Sequence, residues 1–311
     1  MPNIIHTAGL VRCFGTVCAV DDISLDVPTG IIFGLLGPNG SGKTTIIRLL
    51  LGLLEPTSGT AEVLGLDTRS QADKIREQTG ALLEHSGLYE RLSAEDNLEF
   101  YGRVWRMPAP ERASRARELL THLGLWERRK EPTGKWSRGM KQKLAMARAI
   151  FHRPPLVLLD EPTAGLDPVA AAALRNDLDD MVAREGITVF LTTHNLAEAE
   201  RHCSRVAVIR QGKLLALGHP DELRAQAGGS QVEVIGRGFN EDLVVQLSRR
   251  PEVTGARIQN GRLIVDLKDN AEAAPLVAAL VCAGVRVEEV RKSTVSLEEA
   301  FLALVEEDHG H

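Results

Sequence analysis

The sequence predicts an α/β domain followed by a smaller α+β domain, for three reasons. Up to about residue 227, short apolar runs alternate with longer helical patterns, as in sheets covered by helices. One of these runs, residues 30–37, leads directly into a glycine-rich loop that opens a helix. Beyond Gly228-Gly229-Ser230 the predicted order becomes β-α-β-β-α-β, which is typical of a ferredoxin-like domain. We therefore expect one domain over residues 1–227 and a second over 228–311.

Each predicted element depends on a local pattern. Fully apolar runs predict buried strands, and a turn such as Asn260-Gly261 predicts a hairpin. In the first domain these patterns predict strands at 30–37, 156–160 and 187–193, a hairpin at 205–218, and helices at 42–54 and 220–227. In the second they predict strands at 230–236 and 285–295, a hairpin at 255–267, and helices at 240–250, at 271–283 and from Ser296 onward. Ser296 and Glu299 would form a capping box.

Composition and charge exclude several classes of protein. The chain has 311 residues, 43% apolar and 25% charged, which suits a globular protein with a sizeable core. A net charge of −5 does not favour a nucleic-acid surface. No segment approaches the roughly 18 uninterrupted apolar residues of a membrane span, and the first residues do not resemble a signal peptide. Any action on a membrane is therefore expected to require a partner.

The four cysteines show no spacing typical of a metal site or a disulfide framework. Cys13, Cys18, Cys203 and Cys282 are scattered and form no C-x-x-C motif. This pattern predicts reduced, structural thiols in a cytosolic protein.

The stretch "GPNGSGKT" predicts a phosphate-binding loop. It matches G-x-x-x-x-G-K-[ST] after a strand and before a helix, and its members are Gly37, Pro38, Asn39, Gly40, Ser41, Gly42, Lys43 and Thr44. Glycines allow backbone N–H groups to surround a phosphate, and the helix N-terminus adds positive charge. Lys43 is expected to contact the β- and γ-phosphate oxygens and Thr44 to bind Mg²⁺. These residues predict nucleotide binding.

Polar residues follow two other predicted strands. In "LVLLDEP", Asp160 and Glu161 end an apolar strand, at the edge where open α/β sheets bind ligands. Asp160 is expected to hold Mg²⁺, and Glu161 to act as the general base toward the attacking water. His194, in "TTHN", ends another strand and is expected to meet the γ-phosphate.

The stretch "KWSRGMKQKLAMARAI" (135–150) resembles the signature of ATP-binding-cassette (ABC) ATPases. The family consensus L-S-G-G-Q reads here as Trp136-Ser137-Arg138-Gly139-Met140, so Arg138 replaces a glycine and Met140 the glutamine. This S-x-G-M-x-Q variant is similar to one-domain ATPases of drug and polysaccharide exporters. The resemblance covers nearly all of residues 3–227 in order, including "LLDEP", the D-loop "AGLDP" and the "TTH" switch. It implies an ABC ATPase fold with a helical subdomain at about 86–153.

The resemblance also implies a site shared by two subunits in a head-to-tail homodimer closed by ATP. Lys43, Thr44 and Thr45 would contact phosphates and Mg²⁺. Ser137 and Gly139, at the start of a helix that Ser137 caps, would bind the γ-phosphate held by the other subunit. Asp167 would link the two sites. Phe14, in "RCFG", would stack on adenine in place of the family's usual tyrosine.

Glu84 in "GALLEHSGLYERLS" stands where ABC ATPases have the glutamine of the Q-loop. A carboxylate is a hard oxygen donor, so Glu84 is expected to ligand Mg²⁺ and to influence the attacking water. Leu88 and Tyr89 follow in the same loop and are candidates for contact with a membrane partner, because exposed apolar patches often mark interfaces. A solvent-facing acid and a small local core are the alternative interpretations.

The implied function is that of an ATPase subunit of an exporter, peripheral on the cytoplasmic face of the cell membrane. The permease would be a separate chain, and the C-terminal domain with "SLEEAFLALV" resembles daunorubicin-resistance type ATPases. Two alternatives are an importer ATPase and a soluble ABC ATPase acting on ribosomes or DNA. The soluble class normally has paired cassettes or a long coiled-coil insertion, and this chain has neither.

Overall fold

The computed structural model describes residues 3–226, 230–268, 271–294 and 297–299. The chain divides into two units, Met1–Leu217 and Gly218–His311. The second unit thus starts before residue 228, where the composition of the linker placed the boundary. Among the described residues, no helix has the length and apolar character needed to cross a bilayer.

The first unit contains an antiparallel sheet that the sequence did not predict. Its strands are β1 (Asn3–Phe14), β2 (Val17–Pro28), β4 (Ser58–Val63) and β5 (Leu66–Asp67). They lie in the order β2-β1-β4-β5. Buried and exposed residues alternate irregularly along β1 but regularly over residues 22–27 of β2, where the sequence does carry a period of two; register shifts interrupt the pairing of the two strands.

The second sheet of this unit positions the candidate site. Its strands are β3 (Ile32–Leu36), β6 (Thr79–Leu82), β7 (Leu156–Asp160), β8 (Thr188–Thr193), β9 (Arg205–Arg210) and β10 (Lys213–Gly218). They lie in the order β10-β9-β3-β8-β7-β6, and the strands from β9 to β6 are parallel. The predicted α/β class is confirmed. Because parallel strands end at one edge, the residues after β3, β7 and β8 are brought together.

The helices of the first unit are α1 (Lys43–Leu50), α2 (Ala72–Gln78), α3 (Ala94–Val104), α4 (Ala109–His122), α5 (Arg138–Ile150), α6 (Pro168–Glu185) and α7 (Leu196–His202). Along the chain, helices α3 to α5 come between β6 and β7, within the range predicted for the helical subdomain. Helix α1 ends earlier than predicted, because Gly52 has φ +61° and the Leu53 N–H returns to the Arg48 carbonyl at 2.8 Å.

The second unit contains α8 (Pro220–Gln226), β11 (Ser230–Arg237), α9 (Glu241–Ser248), β12 (Val253–Gln259), β13 (Arg262–Leu267), α10 (Ala274–Cys282) and β14 (Arg286–Thr294). From β11 onward this is the predicted β-α-β-β-α-β order, and the strands form an antiparallel sheet in the order β12-β13-β11-β14. Residues 297–299 are helical, and Ser296 of the predicted capping box lies outside the described residues.

The prediction of reduced thiols is wrong for two of the four cysteines. Cys13 and Cys18 face each other across the β1–β2 hairpin and form a disulfide. The cause is the hairpin register, which pairs residues five apart in sequence and is invisible to a search for C-x-x-C. Cys203 is a buried free thiol, and burial raises its pKa to about 12, with Asp179 and Glu198 adding to the shift. Cys282 is free and exposed.

Candidate active site

The loop between β3 and α1 has the close backbone packing that its glycines allow. Gly42 begins α1 in a left-handed conformation, with φ +106°. A Cβ atom there would lie 2.2 Å from the Ala19 carbonyl oxygen, and one on Gly37 would lie 2.3 Å from that of Ile209. The buried Ser41 hydroxyl has no hydrogen-bond partner among the described residues. The loop is therefore compact, with an unused donor inside it and the N-terminus of α1 at its end.

Lys43 is held by three oxygen atoms at this loop. Its ammonium donates to the carbonyls of Gly37 at 2.7 Å and Pro38 at 3.0 Å, and lies 3.3 Å from Glu161 Oε1. The side chain is 6% exposed. Thr44 and Thr45 follow in the first turn of α1, half-buried. Asn39 and Gly40 are exposed at the tip of the loop.

Thr192 on the neighbouring strand contacts both Asp160 and Glu161. Asp160 is buried at the end of β7 and accepts a hydrogen bond from the Thr192 hydroxyl at 2.6 Å. The Glu161 N–H donates to the same hydroxyl at 3.0 Å. The parallel register pairs Asp160 with Thr192. The Thr192 hydroxyl thus orients the Asp160 carboxylate and anchors the backbone of Glu161.

Glu161 joins the phosphate loop to His194. Its carboxylate contacts Lys43 through Oε1 and His194 Nδ1 through Oε2, at 2.6 Å. Glu161 has φ +48°, which is a costly conformation for a residue with a side chain and is common at functional sites. The structure therefore brings together three of the four residues predicted to be catalytic.

Glu84, the fourth, is placed differently. It follows β6, the neighbour of β7 in the sheet, but its side chain is 73% exposed. Its Oε2 lies 4.0 Å from Arg48 on α1. No described contact joins Glu84 to Lys43, Asp160 or Glu161. Its predicted role in Mg²⁺ binding stays a prediction.

The signature residues form a second cluster at the start of α5. Ser137 is the N-cap and accepts a hydrogen bond from the Met140 N–H at 3.3 Å. Gly139 packs against α6, since a Cβ atom on it would lie 3.1 Å from the Ala170 methyl group. Among the described residues, no hydrogen bond or ion pair joins Ser137 or Gly139 to the phosphate loop. The N-terminus of α5 is thus capped by Ser137, and Ser137 and Arg138 are exposed there.

Helix α5 also contacts the D-loop and the residues just before it. The Gln142 amide donates to the Pro162 carbonyl at 2.7 Å. The Arg138 guanidinium packs on Gly165, where an added Cβ atom would lie 2.2 Å from its Nη1. Asp167 caps α6 by accepting from the N–H groups of Val169 and Ala170. These contacts within one chain were not predicted from the motifs.

Phe14 lies at the end of β1 with its ring 48% exposed. The Arg12 guanidinium lies over the ring, 4.6 Å from its centroid. This arrangement covers one part of the ring with a cation and leaves surface on which a base can stack.

The donors near Lys43 suit Mg²⁺ bound together with phosphates. Among the described residues, no three His, Cys, Asp or Glu side chains form a group that could enclose a metal ion. Thr44 and Asp160 offer hard oxygen atoms, and Mg²⁺ commonly uses one or two protein ligands with substrate phosphates and water. The residues present therefore fit Mg²⁺ with nucleotide.

Comparisons with known proteins agree with this geometry. A family model described as "ABC transporter" matches residues 20–164, and one described as "ATP-binding protein DrrA1-3-like, C-terminal domain" matches residues 218–305. The daunorubicin resistance ATP-binding protein DrrA3 of Streptomyces coeruleorubidus is 35% identical over 96% of this chain and 95% of its own. The bacitracin transport ATP-binding protein BcrA of Bacillus licheniformis is 39% identical over 69% of each chain.

A solved structure shows the same fold. It is titled "Structure of ATP binding subunit of ABC transporter", and it is 31% identical with a TM-score of 0.65. The match covers 72% of this chain and 92% of that one. The chain therefore belongs to the ABC transporter ATP-binding proteins, a family of ATPases, and carries a C-terminal domain of the DrrA1-3-like type.

Proposed function

We propose that this protein is the ATP-hydrolysing subunit of an exporter that moves a drug-like or other hydrophobic compound through a separate membrane permease. The observation that carries the proposal is the identity to a daunorubicin resistance protein across 96% of the chain, both domains included. A transport ATPase that protects a cell from a compound moves that compound outward, so import is not favoured. The acidic net charge argues against action on nucleic acid. The subunit would sit on the cytoplasmic face of the membrane.

The mechanism uses the cluster around Glu161. When ATP binds, phosphate oxygens replace Glu161 as the partner of Lys43. Glu161 is then free to take the proton of the attacking water, while His194 Nδ1 keeps its carboxylate in position and His194 contacts the γ-phosphate. Mg²⁺, held by Thr44 and Asp160, would neutralise the charge that develops on the phosphates. Thr192 keeps the Asp160 carboxylate and the Glu161 backbone in place throughout.

Completion of this site requires a second copy of the chain. The exposed N-terminus of α5, capped by Ser137, has free N–H groups and a helix dipole that favour an anion. Since this end is not joined to Lys43 of its own chain, it would bind the γ-phosphate held by the other subunit. Gly139 and Asp167 would act at the same interface of a head-to-tail homodimer.

A groove beside the Glu84 loop is suited to a helix of the permease. It has a volume of about 190 Å³ and is lined by Leu51, Leu53, Arg76, Thr79, Ala81, Leu83, Trp105, Arg148 and Ala149. Exposed Tyr89 and Phe100 meet edge to face, with centroids 4.9 Å apart, and Tyr101 connects them to Trp105. Leu88 is half-buried, so Tyr89 and Phe100 supply the apolar surface.

Co-expression with a candidate permease chain tests the proposed function. Cells with both chains should accumulate less of a fluorescent anthracycline than cells whose ATPase carries Glu161→Gln. Phe100→Glu should reduce the membrane-bound ATPase at least about tenfold, because a buried unpaired charge costs more than the roughly 1.4 kcal/mol that a tenfold change requires. Val245→Glu, at an exposed apolar position of α9, is the matched control. Equal drug accumulation with and without a working ATPase would contradict export.

Glu84→Gln should change the Mg²⁺ dependence of hydrolysis more than the affinity for ATP. A carboxylate attracts Mg²⁺ more strongly than a neutral amide does, so the substitution should weaken binding of the metal. A loss of about 1 kcal/mol would raise the half-maximal Mg²⁺ concentration about fivefold in the variant. ATPase rates across a Mg²⁺ titration measure this, with Glu77→Gln on the exposed side of α2 as the control. Identical titrations would refute the role of Glu84.

A further inference from the structure

The β1–β2 hairpin carries a cysteine pair at the base of its turn. Cys13 and Cys18 are opposite each other in the strand register and are joined by a disulfide that encloses residues 14–17. The other two cysteines have no such partner: Cys203 is buried, and Cys282 is exposed in the second unit. The bond is therefore confined to this one hairpin.

The disulfide adjoins the ring proposed to stack on adenine. Phe14 is the first residue inside the enclosed turn, and Arg12 lies over its ring. Arg12 Nη1 also donates to the Glu55 carbonyl at 2.9 Å, and the Cys13 N–H donates to the Thr57 hydroxyl at 3.1 Å. The cross-link thus fixes the backbone on which Phe14 is mounted.

The same hairpin packs against the phosphate loop. The Ala19 carbonyl, one residue after Cys18, lies where a Cβ atom of Gly42 would be. Gly212 fills the space beside it, and its N–H donates to the Ser41 carbonyl at 3.1 Å while its carbonyl accepts from Asp21 N–H at 2.8 Å. One short disulfide-linked segment therefore touches both the base side and the phosphate side of the site.

We propose that Cys13 and Cys18 form a reversible thiol–disulfide switch that sets the affinity for ATP. The disulfide holds Phe14 and Ala19 in place before ATP arrives, and preorganisation lowers the entropy lost on binding. After reduction, only backbone hydrogen bonds join the two strands of the hairpin. The turn that carries Phe14 then has more conformational freedom. In reducing compartments, disulfides that do form commonly act as redox sensors. The inference rests on the proposed role of Phe14 in ATP binding.

The chemistry is exchange with a low-molecular-weight disulfide such as glutathione disulfide. One cysteine thiolate attacks a sulfur of that disulfide and releases one small thiolate. The second cysteine thiolate attacks the mixed disulfide, forms the Cys13–Cys18 bond and releases the second small thiolate. The two protons of the cysteine thiols end on the two released thiols. The protein loses two electrons and the small disulfide gains them; a dithiol reductant reverses the reaction.

The test uses the full chain with Cys282→Ser, which leaves three of the four cysteines. Samples equilibrated in glutathione buffers of different thiol-to-disulfide ratio are assayed for free thiols after denaturation and for binding of a fluorescent ATP analogue. Oxidation should remove two thiols, and the reduced form should bind the analogue about fivefold more weakly. A further variant with Cys13→Ser and Cys18→Ser should bind with the weaker affinity in every buffer.

Each outcome decides the matter. If oxidising conditions do not remove two free thiols, the switch is overturned. It is also overturned if the oxidised and reduced forms bind the analogue with the same affinity. If the serine variant does not fold, the comparison of redox states in the parent still stands. Failure to bind the analogue in either state would refute nucleotide binding itself, whereas equal binding in both states refutes only the switch.

Discussion

Glu161→Gln is expected to lower the rate of ATP hydrolysis at least about 100-fold, since general-base catalysis contributes about that much. The amide keeps the size of the side chain but cannot take the proton of water. The charge lost also removes the ion pair with Lys43 at 3.3 Å. Because ATP no longer has to displace this carboxylate from Lys43, the variant should bind ATP at least as tightly as the wild type. Phosphate release and binding of a fluorescent ATP analogue measure the two effects.

The same variant tests the shared site. With ATP and Mg²⁺ it should elute as a dimer in size-exclusion chromatography, because bound ATP is not consumed. Glu62→Gln, at an exposed position of β4, provides the control and should behave as the wild type does. Elution only as a monomer under these conditions would count against the ATP-closed dimer, and a rate within about tenfold of the wild type would exclude Glu161 as the base.

Arg115→Leu is expected to destabilise the first unit by about 3–5 kcal/mol. Arg115 on α4 is 1% exposed. It donates through Nη2 to both carboxylate oxygens of Glu185, at 3.0 and 2.7 Å, and to the Ile150 carbonyl at 3.2 Å. It thereby ties α4 to the ends of α5 and α6, and its loss leaves the Glu185 carboxylate partly buried without this partner.

Urea unfolding followed by tryptophan fluorescence measures this effect. All three tryptophans, Trp105, Trp126 and Trp136, lie in the helical region, so the signal reports on it and not on the second unit. Adding Glu185→Leu should recover part of the loss, since both charges are then removed. Arg184→Leu is the control, because its pair with Asp180 is exposed and should contribute less than about 1 kcal/mol. A loss of less than about 1 kcal/mol for Arg115→Leu would contradict the role assigned to it.

The parallel core of the fold could be predicted because its strands are fully apolar. Residues 156–160 form β7 as predicted, and all five of its residues are buried. The antiparallel sheet of β1, β2, β4 and β5 was missed although residues 22–27 of β2 alternate between exposed and buried, because β1 alternates irregularly and register shifts interrupt the strand pairing. In the second unit, short turns such as Asn260-Gly261 made the order of elements readable.

The sequence predicted which residues belong to the candidate site, but it predicted only some of the contacts between them. Lys43, Glu161 and His194 come together because parallel strands deliver them to one edge of the sheet. Thr192 was not singled out, although "TT" precedes His194, because its role depends on the register of β7 and β8. The packing of Arg138 on Gly165 joins segments that no local pattern connects.

The sequence by itself determined the α/β class, the phosphate loop, the acids after β7 and the order of elements in the second unit. These features depend on local propensity and on spacing along the chain. Only the tertiary structure decided that Lys43 pairs with Glu161, that Glu84 faces Arg48, and that Cys13 bonds to Cys18. Such contacts depend on strand register and on the packing of distant segments, and these are set by the whole fold rather than by any one stretch of residues.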